Sequence, residues 1–258
     1  MLNITISQQD LEAFFLVLVR ITAFVSVAPF FGEANVPVRY KLGFSVAFSY
    51  LVYLLLPDVT LPYNTTLGYA TLIVKESIVG LLVGFSAFIC NTIVLFAGRI
   101  IDMDIGLSMA NLYDPSTREQ VSLNGSFYQR TIMILFILSG MHLYLLGAMA
   151  DTFKLIPLGG LSLNLSLYGT FIGFLTDYFI IGFRIILPIF AVSLIVNCAM
   201  GIMTKVAPQI HMFSVGMQIK ILVGLLVLFM TVILLPNIAD FLFDEMKTMV
   251  VDVIRGMS

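Results

Sequence analysis

Tryptophan is absent from this 258-residue chain, and cysteine occurs only twice. Two cysteines, Cys90 and Cys198, are too few for a disulfide framework or a zinc site. Each lies inside an apolar run, where a free cysteine behaves as a small buried hydrophobic residue. Because Trp and Tyr together usually mark both interfaces of a membrane-spanning protein, tyrosine alone would have to mark them here.

Charge is also scarce, at 11% of residues, and the 13 basic residues nearly balance the 15 acidic ones. The formal net charge of −2 gives no field that would attract nucleic acid, so no nucleic-acid partner is expected. A soluble domain has about a quarter of its residues charged. The 60% hydrophobic content excludes a disordered chain. Composition therefore predicts an all-α membrane protein.

Sequence motifs for catalysis and cofactor binding are missing. Neither histidine, His142 or His211, has a second His, Cys or carboxylate three or four residues further along the chain. Metal-site spacing is therefore absent. The sequence also contains no Walker A loop, no Gly-x-Gly-x-x-Gly and no Gly-x-Ser-x-Gly. We expect no catalytic residue, no cofactor and no metal ligand, and hence no enzyme.

Long apolar runs predict where helices could cross a membrane. A span needs about 20 apolar residues, because about 30 Å of hydrocarbon is crossed at 1.5 Å per residue. The charge-free runs are 42–57, 77–98, 131–150, 155–176, 185–204 and 221–239, and 11–31 is apolar except for Arg20. Much of 155–176 is expected to be loop, because it holds Pro157, Gly159 and Gly160. Pro188 and Pro208 are expected to kink or break helices.

One segment, 99–130, is unlike the rest, because it carries seven of the 28 charged residues. Its centre has the Asp-Pro-Ser chemistry of a turn, at Asp114, Pro115 and Ser116. Long loops in compact proteins are usually functional or disordered. The pattern predicts a long functional loop here.

Several charges interrupt the apolar runs, where a charge is costly and indicates a function or a partner. They are Arg20, Lys75, Glu76, Asp177, Arg184 and Lys220. Two interpretations stay open, an ion or proton relay and structural pairs that fix helix register, and the second is favoured. Asp177 and Arg184 share a helix face and could pair. Gly80 and Gly84, four residues apart, predict close helix packing.

Collinear blocks in this sequence resemble those of the flagellar biosynthetic protein FliR family. The blocks are Arg20-Ile-Thr-Ala-Phe, Ala28-Pro-Phe-Phe-Gly32, Gly98-Arg-Ile-Ile-Asp, Asp151-Thr-Phe-Lys-Leu-Ile-Pro and Val206-Ala-Pro-Gln. The resemblance runs from about residue 10 to residue 240. It implies a non-enzymatic subunit of the flagellar type III export gate, in the bacterial inner membrane at the flagellar basal body.

The resemblance also implies an architecture and partners. A FliP-like part, about 1–169, would precede a FliQ-like helical hairpin, about 170–246, with its turn near Pro208. The implied partners are multiple copies of FliP-like and FliQ-like subunits, FlhB-like and FlhA-like proteins, unfolded flagellar export substrates and membrane lipid. In the family the central loop plugs the closed pore. The resemblance implies the same role here for loop 106–124, with Gly106, Asn111, Asp114, Pro115, Gln120 and Asn124.

Two alternative functions stay open at this point. The first is the corresponding gate subunit of an injectisome, the related virulence secretion system. The second, from another class, is a small secondary transporter that uses Asp177, Arg184, Lys75 and Glu76 around a midplane site. Such a transporter would need interrupted helices in both halves of the chain, whereas the Gly and Pro interruptions lie mainly in the second half.

Overall fold

The structure, a computed structural model, describes residues 8–56, 61, 63, 65–108, 122–162, 164–207 and 212–258. Within these ranges all regular secondary structure is helical. The α-helices are α1 Gln8–Val27, α2 Val38–Leu55, α3 Thr66–Ile105, α4 Leu123–Leu138, α5 Met141–Leu155, α6 Leu165–Val206, α7 Met212–Thr231 and α8 Leu235–Met257. A short 3₁₀ turn, Val232–Leu234, joins α7 to α8. The predicted all-α class is confirmed.

Three helical segments of the described chain are long and apolar enough to cross a membrane: Thr66–Ile105, Leu167–Val206 and Val215–Met257. The bent pair α4 and α5 makes a fourth if the pair counts as one span. Each of the three segments has 40 or more residues. These lengths correspond to about 60 Å, roughly twice the thickness of the hydrocarbon core.

The run 131–150 does not form one straight helix. α4 ends at Leu138, α5 begins at Met141, and the two axes differ by 68°. Gly140 lies between them with φ of +75°, a backbone conformation that glycine adopts without steric penalty. The apolar composition of this run indicated burial from water but gave no sign of the bend.

Three other expectations need correction. Pro188 does not break its helix, because α6 continues from Leu165 to Val206; apolar helices tolerate proline where neighbouring groups satisfy the freed carbonyl. In the run 155–176, the non-helical part ends before Leu165, and the remainder belongs to α6. Cys90 is buried as expected, whereas Cys198 is exposed. Pro208 lies outside the described residues, between the end of α6 and the start of α7.

The chain divides into two compact units. Unit 1 comprises Met1–Ile89, Gly140–Phe174 and Asp244–Ser258, and unit 2 comprises Cys90–Ser139 and Leu175–Phe243. In unit 1, α1 buries Leu16, Val17, Ile21 and Phe24. The end of α8 adds a buried stripe at helical spacing, formed by Met246, Met249, Val250, Val253, Ile254 and Met257.

Unit 2 leaves much of its apolar surface uncovered. Only 28% of the most apolar window of α6 is buried. Phe183, Leu187, Ile195 and Ile202 are each more than half exposed. Monomeric soluble proteins rarely expose apolar patches of this extent, which mark contacts with lipid or with another protein.

Candidate functional site

A hydrogen-bonded cluster joins the end of α3 to the start of α4 in unit 2. The buried carboxylate of Asp102 accepts hydrogen bonds from Ser122 Oγ at 2.6 Å and from the Asn124 backbone N–H at 3.3 Å. The side-chain amide of Asn124 donates to the same carboxylate. We call Asp102, Ser122 and Asn124 the α3–α4 clasp.

Ser122 has a second role as the N-cap of α4. Its Oγ accepts a hydrogen bond from the Gly125 backbone N–H at 2.9 Å. An N-cap satisfies one of the N–H groups that the first helical turn leaves without a partner. The serine therefore fixes the start of α4 and, with the same hydroxyl, donates a hydrogen bond to the Asp102 carboxylate.

Two glycines let the backbones of α3 and α4 meet beside the clasp. A Cβ added to Gly98 would overlap the backbone of Gly125, and one added to Gly125 would lie 2.5 Å from Ser122 Oγ. No larger residue fits at either position unless the helices separate. The clasp therefore closes a contact that is already as short as two helix backbones allow.

The last turn of α3 is tied to α7 by an ion pair within unit 2. Lys220 Nζ lies 3.5 Å from Asp104 Oδ1, and both side chains are mostly buried. Gly224 of α7 packs against Ile105, because a Cβ there would be 2.7 Å from the isoleucine side chain. Gly106 then ends α3 with φ of +93°, in the left-handed conformation typical of a helix C-terminus.

The charged segment 99–130 is therefore mostly helical at its two ends. Arg99, Asp102 and Asp104 lie in α3, and Arg130 lies in α4. Asn124, assigned from sequence to loop 106–124, lies in the first turn of α4. The other assigned residues, Asn111, Asp114, Pro115 and Gln120, fall outside the described residues, as does the centre of the loop.

A second polar cluster lies in unit 1, around Arg20 of α1. Its guanidinium forms a fully buried ion pair with Glu76 of α3 and donates from Nη1 to the carbonyl of Ile156 at 3.0 Å. The same guanidinium lies 4.2 Å from the centre of the Phe153 ring, at cation–π distance. The pair thus joins α1, α3 and the end of α5.

The neighbouring charges of α3 hold the connection that follows α5. Glu76 Oε1 accepts from the Gly159 N–H at 2.8 Å, and Lys75 Nζ donates to the Gly159 carbonyl at 3.1 Å. Both backbone groups of Gly159 are therefore bound by adjacent side chains. This geometry fixes the turn at Gly159 and gives both charges a structural partner.

Gly80 and Gly84 lie on the face of α3 that packs against α1. A Cβ on Gly80 would overlap the carbonyl of Arg20, and a Cβ on Gly84 would lie 2.9 Å from the carbonyl of Phe24. The backbones of α1 and α3 are therefore in contact at two points that lie one helical turn apart. For the comparable pair Gly169 and Gly173 on α6, an added Cβ would meet no atom of another part of the described chain within 4 Å.

The remaining intramembrane charges are not brought together. Asp177 and Arg184 are both exposed on α6, and in the described part of the chain neither takes part in an ion pair. Among the same residues no cluster of His, Cys, Asp or Glu could hold a metal ion.

Comparison with known proteins gives the family. The model for bacterial export proteins, family 1, matches residues 11–246, which include both polar clusters. The chain belongs to this family. It is 32% identical to the flagellar biosynthetic protein FliR of Bacillus subtilis over 92% of this chain and 94% of that protein. It is 30% identical to FliR of Pectobacterium carotovorum, over 95% and 94% of the two chains.

The FliR protein of Escherichia coli is 28% identical and aligns over the full length of this chain. The sequence resemblance to FliR is thus confirmed along nearly the whole chain. Together with the long apolar helices, it makes the chain a membrane-integral component of a flagellar export apparatus.

The clasp could not be predicted from the sequence. Arg20 and Glu76 were both expected in structural pairs, but not with each other. Gly98 and Asp102 stand in one of the family blocks, but nothing in the block says what Asp102 binds. The cap signal at Ser122, three residues before Gly125, could have located the start of α4. Arg20 and Glu76 are 56 positions apart, and a single sequence holds no signal that joins them.

Proposed function

We propose that this chain is a non-enzymatic subunit of the flagellar type III protein export gate in the bacterial inner membrane. In that role it forms part of the channel through which unfolded flagellar subunits pass. The observation that carries the proposal is the family match over residues 11–246. It is supported by a charged connection whose two ends are joined by the α3–α4 clasp.

The proposal assigns the connection between α3 and α4 as the plug of the closed channel. A polar segment between apolar helices is tolerated where it lines protein or water rather than lipid. The Asp102 hydrogen bonds to Ser122 and Asn124 hold the two ends of this connection together. The residues assigned to the plug remain Gly106, Asn111, Asp114, Pro115 and Gln120, with Asn124 as its anchor on α4.

The uncovered apolar surface supports assembly with other subunits. We propose that FliP-like and FliQ-like subunits cover it, with FlhB-like and FlhA-like proteins as further partners. In this assembly residues 1–169 form the FliP-like part and 170–246 the FliQ-like hairpin. The turn of that hairpin would lie near Pro208, between the end of α6 and the start of α7.

The two alternatives find less support. The relatives from Bacillus subtilis, Pectobacterium carotovorum and Escherichia coli, which match over most of the chain, carry flagellar names, and this favours the flagellum over the injectisome. A secondary transporter needs intramembrane charges that converge on one site. In the described residues Asp177 and Arg184 form no pair, and Lys75 and Glu76 both bind the backbone of Gly159.

Deleting residues 110–120 tests the plug. We expect the export complex to assemble while the membrane becomes permeable to small ions, because the closed channel loses its obstruction. Assembly is measured by co-purification of FliP-like and FliQ-like subunits on the tagged chain, and permeability by ion flux in cells that carry the complex. An assembled complex with unchanged permeability would remove the plug assignment and leave the gate assignment intact.

A milder variant, Asp102→Ala, tests the clasp. It removes the acceptor of Ser122 and Asn124, and leaving such buried donors unsatisfied costs about 1–3 kcal/mol. We expect an assembled complex with an ion leak smaller than that of the 110–120 deletion. Asp151→Ala is the matched control, since it removes an exposed carboxylate paired with Lys154 and should leave permeability unchanged. Equal permeability of the Asp102 variant and the wild type would contradict the clasp's role.

A further inference from the structure

A small cavity lies inside unit 2, where α6 and α7 meet the last turn of α3. The residues that line it on α6 and α7 recur at the three- and four-residue spacing of one helix face. Its apolar walls include Ile105, Ile189, Val192 and Val223. The polar groups in its lining are the hydroxyl of Ser193 on α6 and the ammonium of Lys220 on α7.

Ser193 is buried, and its hydroxyl oxygen has no hydrogen-bond partner in the described part of the chain. A serine inside a helix can donate to a carbonyl three or four residues earlier. Two other buried serines do so, Ser49 at 2.6 Å and Ser86 at 2.7 Å. Burying a hydroxyl without any partner is costly, so the orphaned Ser193 hydroxyl indicates that the cavity holds a hydrogen-bonding group.

Lys220 brings further donors to the same cavity. Its ammonium carries three N–H groups, and among the described residues it has one acceptor, Asp104 Oδ1, at the long distance of 3.5 Å. The second carboxylate oxygen, Asp104 Oδ2, is buried and also lacks a partner there. The ion pair between α3 and α7 is therefore incompletely hydrogen-bonded, beside a hydroxyl in the same condition.

The volume and charge of the cavity select its occupant. The volume is about 10 Å³, close to the roughly 10–15 Å³ that one water molecule needs. The ammonium of Lys220 disfavours a cation. A buried anion is disfavoured as well, because Asp104 already balances the charge of Lys220 and the remaining walls are apolar. Water is neutral, donates and accepts, and makes about three hydrogen bonds at buried polar sites.

We propose that one ordered water molecule occupies this cavity and bridges Ser193 Oγ to Lys220 Nζ. The water accepts a hydrogen bond from the ammonium and is hydrogen-bonded to the serine hydroxyl. Through it, α6 is joined to the ion pair that links α3 and α7. The site goes beyond protein export, because it involves neither the plug nor a partner subunit, and its own chain buries Ser193.

Ser193→Ala tests the bridge by the sign of its effect, in the full-length chain purified with its copurifying subunits. The variant takes a partner from the water, so we expect the thermal unfolding midpoint to fall by about 2–4 °C, as for loss of one hydrogen bond in a chain of this size. Removing a hydroxyl that binds nothing is neutral or stabilising. An unchanged or raised midpoint would therefore overturn the proposal.

Ser86→Ala is the matched control, because this buried serine binds only a carbonyl of its own helix. Alanine is the better helix former, and we expect no fall in the midpoint. A fall equal to that of Ser193→Ala would show that loss of any buried hydroxyl has this effect, and would remove the support for a bridging water. The wild-type midpoint should be the same in chloride and in acetate, and a chloride-dependent midpoint would assign the cavity to an anion instead.

A density map of the same complex, at a resolution that shows ordered water, keeps the proposal testable if Ser193→Ala misfolds. We expect a peak in the wild type within about 3.2 Å of both Ser193 Oγ and Lys220 Nζ. A partner's side chain in the cavity, or no peak there while other buried waters are visible, would overturn the proposal. Neither result would affect the assignment of the chain to the export gate.

Discussion

Replacing Glu76 by alanine is expected to lower the free energy of unfolding of the chain by about 3–5 kcal/mol, because it leaves a buried arginine without its counter-ion. Arg20 is fully buried, and its guanidinium is bound by the Glu76 carboxylate and the Ile156 carbonyl. The Gly159 N–H would lose its acceptor in the same variant. We expect little folded protein in the membrane and loss of the copurifying complex.

Two further variants separate charge from packing at this cluster. In Arg20→Met with Glu76→Met no uncompensated charge remains, so stability should recover in part relative to Glu76→Ala. Asp244→Ala removes an exposed ion pair with Lys247, and an exposed pair contributes about 0–1 kcal/mol. Yield and thermal aggregation of the detergent-solubilised complex are the measurements. A Glu76→Ala complex as stable as the Asp244→Ala complex would show that the pair does not hold α1, α3 and α5 together.

Replacing Gly80 by alanine should destabilise the folded chain as much as Glu76→Ala does, although it adds only one methyl group. The added Cβ would overlap the Arg20 carbonyl, and backbone cannot move aside as a flexible side chain can. α1 and α3 would have to separate, and Arg20 would move away from Glu76 with its helix. Core overpacking of this kind costs about 1–3 kcal/mol, to which weakening of the buried ion pair adds.

The chain supplies its own controls for the glycine variant. Gly169→Ala and Gly173→Ala add the same methyl group at the same four-residue spacing, but there the added Cβ meets no other part of the described chain within 4 Å. In a helix interior alanine is favoured over glycine by about 1 kcal/mol, so these variants should fold as well as the wild type. Gly84→Ala, whose Cβ would lie 2.9 Å from the Phe24 carbonyl, should reach a membrane level between that of these controls and that of Gly80→Ala. Identical membrane levels of all four variants would contradict close packing of α1 on α3.

The class and most helices of this protein could be predicted from charge-free runs, because hydrocarbon excludes charge whatever the tertiary structure. The bend at Gly140 could not be predicted, because the apolar residues on either side of it are compatible with one straight helix or with two. The continuity of α6 through Pro188 was missed for a related reason. Proline removes one hydrogen bond, and whether the helix survives depends on packing that lies elsewhere in the chain.

The polar clusters show a similar limit. The spacing of Gly80 and Gly84 predicts close packing, and the structure supplies the partner, α1. Equivalent spacing at Gly169 and Gly173 meets nothing in the described chain, so the motif alone does not distinguish the two cases. Asp102 is one of the charges of segment 99–130 and is therefore evident in the sequence. Its hydrogen bonds to Ser122 and Asn124 are not, because they depend on where α3 ends and α4 begins.

The length of α3 has a consequence for how the protein is made. Its 40 residues extend about 60 Å, and a helix inclined by the usual 20° crosses the hydrocarbon layer with roughly half of that length. The charge-free stretch 77–98 fits this crossing, whereas the rest of the helix carries Lys75, Glu76, Arg99, Asp102 and Asp104, and charge is costly in hydrocarbon. The two charged ends of α3 therefore extend beyond the hydrocarbon layer. A newly made copy can insert through 77–98 before its neighbours in the apparatus are synthesised.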